Sequence, residues 1–203
     1  MSAMPLGQSS FRLYLAVNFV SLNGLWINRI VVGWLAWSYT GSAAWVGFVS
    51  SLLFAPTVLA GPFFGVIADR IDIKHGAITT QTGLGLIMLV LFLVHTAGAL
   101  DIYGLAAIAF LFGLTQSANH PIRLTLVPLL VPPKEIPQAI TIISINFNIA
   151  RLLGPASGGL LIDGLGPGTA MAVSVLATLP MLAAFPYIRP RERAAKGGAH
   201  RPL

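Results

Sequence analysis

Six long apolar runs separated by short polar breaks organise the chain. The runs extend from about Phe11 to Tyr39, Trp45 to Ala68, Ala77 to Thr96, Tyr103 toward Pro128, Gln138 to Ile162 and Thr169 to Ile188. A helix of about twenty residues, at about 1.5 Å per residue, crosses about 30 Å of hydrocarbon. The pattern therefore predicts six membrane-spanning helices, since a span without water must satisfy its backbone N–H and C=O groups internally. Met1 to Ser10 is a short polar lead without the features of a cleaved signal peptide. The last stretch, Arg189 to Leu203, is a basic tail.

Polar residues inside the runs are not scattered. In the first run Asn18, Ser21, Asn28 and Arg29 fall within about a third of the helix circumference. In the fifth, Thr141, Ser144, Asn148, Arg151 and Pro155 step by three or four and make one stripe, beside a small-residue stripe of Ala150, Gly154 and Gly158. Near the end of the fourth run, Gln116, Asn119, His120 and Arg123 share a face, with Pro121 predicted to distort the helix there. Gly61 and Gly65 in the second run form a small-xxx-small face suited to close helix approach.

Composition agrees with a membrane. The 203 residues are 56% hydrophobic and 9% charged, against about 25% charged in soluble domains. A mean hydropathy of +0.82 leaves too little polar surface to cover a soluble core. The absence of cysteine excludes disulfides and thiolate metal sites, and four scattered histidines offer no structural metal site, so neither metal nor cofactor is expected. No nucleophile has a plausible base, and no glycine-rich loop with a lysine cradles phosphate, so no enzyme chemistry is predicted.

The net charge of +6 would suit nucleic acid, but its placement points elsewhere. With six spans, the amino end, the breaks after the second and fourth runs and the tail share one side. That side holds Arg12, Arg70, Lys74, Arg123, Lys134, Arg189, Arg191, Arg193, Lys196 and Arg201, ten of the twelve Lys and Arg. The opposite turns hold none, and Arg29 and Arg151 lie within the spans. By the positive-inside rule both termini face the cytoplasm, and no nucleic-acid role is expected.

The break at Gly65-Val66-Ile67-Ala68-Asp69-Arg70-Ile71-Asp72-Ile73-Lys74 is the most specific stretch: four charges fall within six positions between two uncharged spans. It resembles the loop between helices two and three of major facilitator superfamily transporters, matching at Gly65, Ala68, Asp69, Arg70 and Lys74 and departing at Asp72 and Ile73. Pro121-x-Arg123, Leu129-x-Val131-Pro132 and Asn148-x-x-Arg151-x-x-Gly154-Pro155-x-x-Gly158-Gly159 resemble the enterobactin-exporter-like and macrolide-efflux-like branch of that superfamily. The Gly154-Pro155-x-x-Gly158-Gly159 part also matches the end of the fifth-helix motif of drug:proton antiporters. The fourth helix lacks the basic residue many proton antiporters carry near its middle, which puts proton coupling in doubt. Gly65-x-x-x-Asp69 and Gly159-x-x-x-Asp163, each after a Gly-Pro pair, close oppositely directed helices, as in a three-plus-three inverted repeat.

The resemblance implies an all-α integral membrane fold, the amino-terminal six-helix half of such a transporter: a bundle over residues 11–188, a lead over 1–10 and a tail over 189–203. It implies that Asp69, with Gly65, Arg70 and Lys74, belongs to a cytoplasmic gate. The alternative is that these charges only solvate a turn and fix topology. Gly154, Pro155, Gly158 and Gly159 are expected to pack helix five closely. Arg29 and Arg151 have no acid of this chain at their depth, and an unpaired arginine there costs at least about 2.5 kcal/mol. With Asn18, Asn28, Ser144 and Asn148 they are expected to line a substrate cavity, facing an anionic or acid-bearing small molecule or acids from a second half. A purely structural pairing is the other reading.

The expected activity is efflux by alternating access, this bundle rocking against a second one in the bacterial inner membrane. Expected partners are membrane lipid and a carboxyl-terminal six-helix half or another copy of the chain. The competing expectation is a non-transporting membrane subunit or truncated relic that packs on a partner.

Overall fold

The computed structural model describes residues 8–68 and 71–188. The described residues are helical throughout apart from short turns: α1 (Ser9–Thr40), α2 (Ala43–Ala68), α3 (Ile73–Thr96), α4 (Ile102–Leu126), α5 (Ile136–Leu165), α6 (Pro167–Leu176) and α7 (Leu179–Ala184). Six helical stretches are long and apolar enough to cross a membrane, the last running from Pro167 through Ala184. The predicted six-helix all-α architecture is the one observed.

Short-range chemistry sets the ends. Gly41 stops α1 in the left-handed conformation (φ 58°), its N–H bonding the carbonyl of Trp37 at 2.7 Å, and only glycine enters that region without a Cβ penalty. Asp72 caps α3 by accepting the N–H of His75 at 2.8 Å, and Asp101 caps α4 by accepting that of Gly104 at 2.7 Å. Pro56 and Pro62 in α2, Pro121 in α4 and Pro155 in α5 stay within continuous helix. The sixth span differs from the unbroken run its apolar sequence predicts: it turns at Ala177 and Thr178 and restarts as α7. Pro180 is the reason, because it has no N–H for the carbonyl four residues back and its ring crowds that turn. Thr178 Oγ1 donates instead to the carbonyl of Val175 at 2.7 Å.

Packing has a repeat symmetry. α2 runs along α4 and α5 along α1, while α3 lies on α4 and α6 on α1. Exchanging spans one to three with spans four to six turns each of these pairs into the other, as a three-plus-three repeat requires. The two long pairs meet at glycines. A Cβ on Gly113 of α4 would strike the backbone carbonyl of Leu52 in α2, and one on Gly154 of α5 would strike Cβ of Trp26 in α1. A Cβ on Gly158 would lie 3.3 Å from Cα of Ile27.

The core falls into two apolar clusters. One gathers Leu25, Leu35, Leu53, Met88, Phe112 and Met171; the other gathers Phe11, Tyr14, Ala77, Leu126, Val131 and Phe185. Between them lies a layer of buried polar side chains: Asn18, Ser21, Gln81, Ser117 and Asn119. That layer, rather than an unbroken apolar interior, positions the site.

Candidate functional site

The polar layer is built around Arg123. Its guanidinium donates to Oδ1 of Asn18 at 2.7 Å, to Oε1 of Gln81 at 2.7 Å and to Oγ of Ser21 at 3.3 Å. Gln81 in turn donates to Ser21 at 3.0 Å, and Asn18 donates to Oδ1 of Asn146 at 3.2 Å, whose own Nδ2 donates to the carbonyl of Leu15 at 3.1 Å. One cation thus ties α1, α3, α4 and, through Asn146, α5. Every acceptor around it is neutral. The charge pattern predicts Arg123 beside the cytoplasmic break, whereas the structure draws it into the bundle. Three acceptors from two neighbouring helices offset part of the hydration it loses there.

Beside this layer a groove opens between α1, α2, α4 and α5 in two adjoining chambers. The first, of about 280 Å³, is lined by Tyr14, Asn18, Arg123, Ser144 and Asn148, among others. The second, of about 330 Å³, is lined by Trp26, Arg29, Phe54, Thr57 and Arg151. Gln116, His120 and Phe147 line both chambers and make them continuous.

In the second chamber Arg29 is held by aromatic rings. Its guanidinium carbon lies 4.5 Å from the Trp26 ring centre and 4.4 Å from that of Phe54, and that of Arg151 lies 5.9 Å from Trp26. Stacking of this kind stabilises a cation by about 0.5–2 kcal/mol but leaves its charge in place. Trp26 is itself fixed edge-on against Phe147 of α5, with centroids 6.0 Å apart. The Nε of Arg29 and Oε1 of Gln116 are buried without a hydrogen-bond partner. Among the described residues the single ion pair is His75 with Asp72 at 2.9 Å, so Arg29, Arg123 and Arg151 meet no carboxylate there. Asp72, Asp101, Glu135 and Asp163 stand at helix ends or in the last turn. The groove therefore carries three guanidiniums and no acid among the described residues.

The predicted site residues separate. Asn18, Ser144 and Asn148 line the first chamber, and Arg29 and Arg151 the second, so Ser144 and Asn148 are not in the chamber of Arg151 as the stripe suggests. Asn28 lines neither; it is buried, with Oδ1 unpartnered. Gly154 and Gly158 pack on α1, while Gly159 has open space where a Cβ would go. The same openness surrounds Gly61 and Gly65, so no helix of this bundle uses their small-residue face. Lys74 is half-buried in the first turn of α3. Asp69 and Arg70 lie outside the described residues. Gln81, Trp26, Phe54 and Phe147 went unnoticed in the sequence, although Gln81 is a lone amide in an apolar span. His120 and Gln116 shared a visible stripe without pointing to a cavity.

Comparison with known proteins agrees with this architecture. The profile of the transmembrane secretion effector family matches residues 1–198. A staphyloferrin A transporter of Staphylococcus aureus is 24% identical over 177 residues, covering 86% of this chain and 45% of the relative. The multidrug resistance protein MdtG of Escherichia coli is 28% identical over 177 residues, covering 74% of this chain and 42% of the relative. The chain thus spans less than half the length of these curated relatives. Six apolar spans, a three-plus-three packing and a family match along almost the whole sequence have one explanation: the chain is an integral membrane protein of the major facilitator superfamily, in its transmembrane secretion effector family.

Proposed function

We propose that the chain forms one half of a secondary-active exporter, working by alternating access against a second six-helix bundle and carrying a small molecule with an acidic group. The observation that carries this reading is the acid-free groove containing Arg29 and Arg151 on one side of the bundle. A mobile anion would stabilise both guanidiniums and could leave again, whereas a built-in carboxylate would neutralise them permanently. The names of the relatives, one a staphyloferrin A transporter and one a multidrug resistance protein, fit transport of small molecules. The excess of Lys and Arg at the two charged breaks and the tail supports an inner-membrane protein with cytoplasmic termini. Within the same reading Asp69 anchors a cytoplasmic gate: Asp69→Asn should keep expression and reduce transport.

Transport in liposomes, after co-expression with a carboxyl-terminal six-helix half, tests the proposal. Arg151→Ala should abolish movement of the acidic substrate, and Arg151→Lys should retain part of it, since lysine keeps the charge without the planar fork. Undiminished transport by Arg151→Ala would refute the anionic-substrate reading.

A further inference from the structure

We infer that Arg123 is a second anion-recognising group in the same groove, so that the substrate is an elongated molecule with two separated acidic groups. The inference rests on the transporter reading above and specifies the ligand that reading leaves open. A guanidinium offers five N–H donors, and three of its bonds here go to Asn18, Ser21 and Gln81. These satisfy hydrogen bonding but supply no negative charge. Fastening the helices does not need a cation, because Gln81 already bonds Ser21 and Asn18 already bonds Asn146. A neutral amide at position 123 would complete that net with a smaller desolvation cost. The charge has a use where Arg123 faces open space, and it lines the first chamber, which continues past Gln116 and His120 to Arg29 and Arg151.

The two cationic points lie at different depths. Asn18, which holds Arg123, and Arg29 are eleven residues apart on α1, about 16 Å of helical rise. A compact anion reaches one of them at a time. A molecule with acids at both ends reaches both, with the exposed imidazole of His120 and the amide of Gln116 along its middle.

The test is calorimetric titration of the full 203-residue chain in lipid nanodiscs with succinate, sebacate and monomethyl sebacate. Sebacate should bind roughly tenfold more tightly than the other two, the worth of one added charge-assisted hydrogen bond. Arg123→Gln should erase that preference, bringing sebacate to the affinity of its monomethyl ester, while succinate still binds at Arg29 and Arg151. Arg123→Lys should lower the melting temperature yet keep part of the preference, which separates charge from helix fastening even if the glutamine variant folds poorly. Equal affinity of the native chain for sebacate and its monomethyl ester, or an undiminished preference in Arg123→Gln, would overturn the inference. If succinate still binds through Arg151 in that case, the anionic-substrate reading stands alone. If no probe binds and Arg151→Ala changes nothing, both fall together.

Discussion

Gly154 and Gly158 on α5 and Gly61 and Gly65 on α2 have the same four-residue spacing and opposite roles. At Gly154 α5 meets α1 too closely for a side chain and at Gly158 the contact is tight; the second two face open space. Gly154→Ala should therefore cost about 1–3 kcal/mol, the price of overpacking a tight contact. Gly65→Ala should be neutral or stabilise by about 0.4–1 kcal/mol, by removing backbone freedom from the unfolded chain. Thermal melting of the purified variants distinguishes them, and equal losses at both positions would contradict the packing described. The polar layer makes a similar claim for Gln81. Gln81→Leu removes one acceptor from Arg123 and should cost about 1–3 kcal/mol, as expected when a buried donor loses its partner. A melting temperature within error of the native chain would mean that Arg123 finds another acceptor.

The amino end of α3 is the element whose behaviour depends most clearly on pH. Asp72 accepts the N–H of His75, and that backbone bond, with a further bond from the His75 ring, holds its carboxyl below the usual carboxylate range. A depressed folded-state value means the cap is at full strength above the ordinary carboxylate range, near 4. It is lost as pH falls through the lower folded-state value. The side chain is well exposed, so the effect is small. Asp72→Ala should cost about 0.5–1 kcal/mol at neutral pH, toward the lower part of the range for caps. The difference in melting temperature between native chain and variant should shrink as the pH is lowered from 7 to 3. A difference independent of pH would assign the contribution to something other than the carboxylate. The break between α6 and α7 belongs to the same scale: a single proline ends one helix and begins the next without interrupting the span.

At the scale of the whole molecule, the groove is open on one side and α2 is largely uncovered beyond its first turns, with Val58, Leu59 and Phe63 each more than 70% exposed. We expect a second bundle, from a longer chain, a separate chain or another copy, to lie against the groove face. Ser21 cannot report on that contact because it is buried under Gln81 and Arg123. Ser144 is exposed at the groove, and a cysteine there should cross-link to the partner. Retention of transport by an uncross-linked, monodisperse single bundle would rule the half-transporter out. Topology has its own check. Cysteines at Gly41 or Gly164 should label from outside the cell and those at Pro132 or Lys134 only from within; external labelling of Pro132 would invert or refute the six-span arrangement.

The sequence by itself determined the class of fold and the number of spans. These follow from local properties, the length and spacing of the apolar runs. It also singled out Arg29 and Arg151, since a charge inside an apolar run is conspicuous without coordinates. What it could not determine is which neighbour each side chain meets. A stripe on one helix shows that Asn18, Ser21, Asn28 and Arg29 share a broad face. It does not show that Asn18 and Ser21 turn inward to Arg123, that Asn28 is buried away from the groove, or that Asn18 and Arg29 line different chambers of it. The same limit separates Ser144 and Asn148 from Arg151. Arg123 read as a charge at the membrane edge because its acceptors lie 42 and more residues away in the chain. Only the packing of α1, α3 and α4 brings them together and makes a half-buried cation of it, with no acid beside it among the described residues.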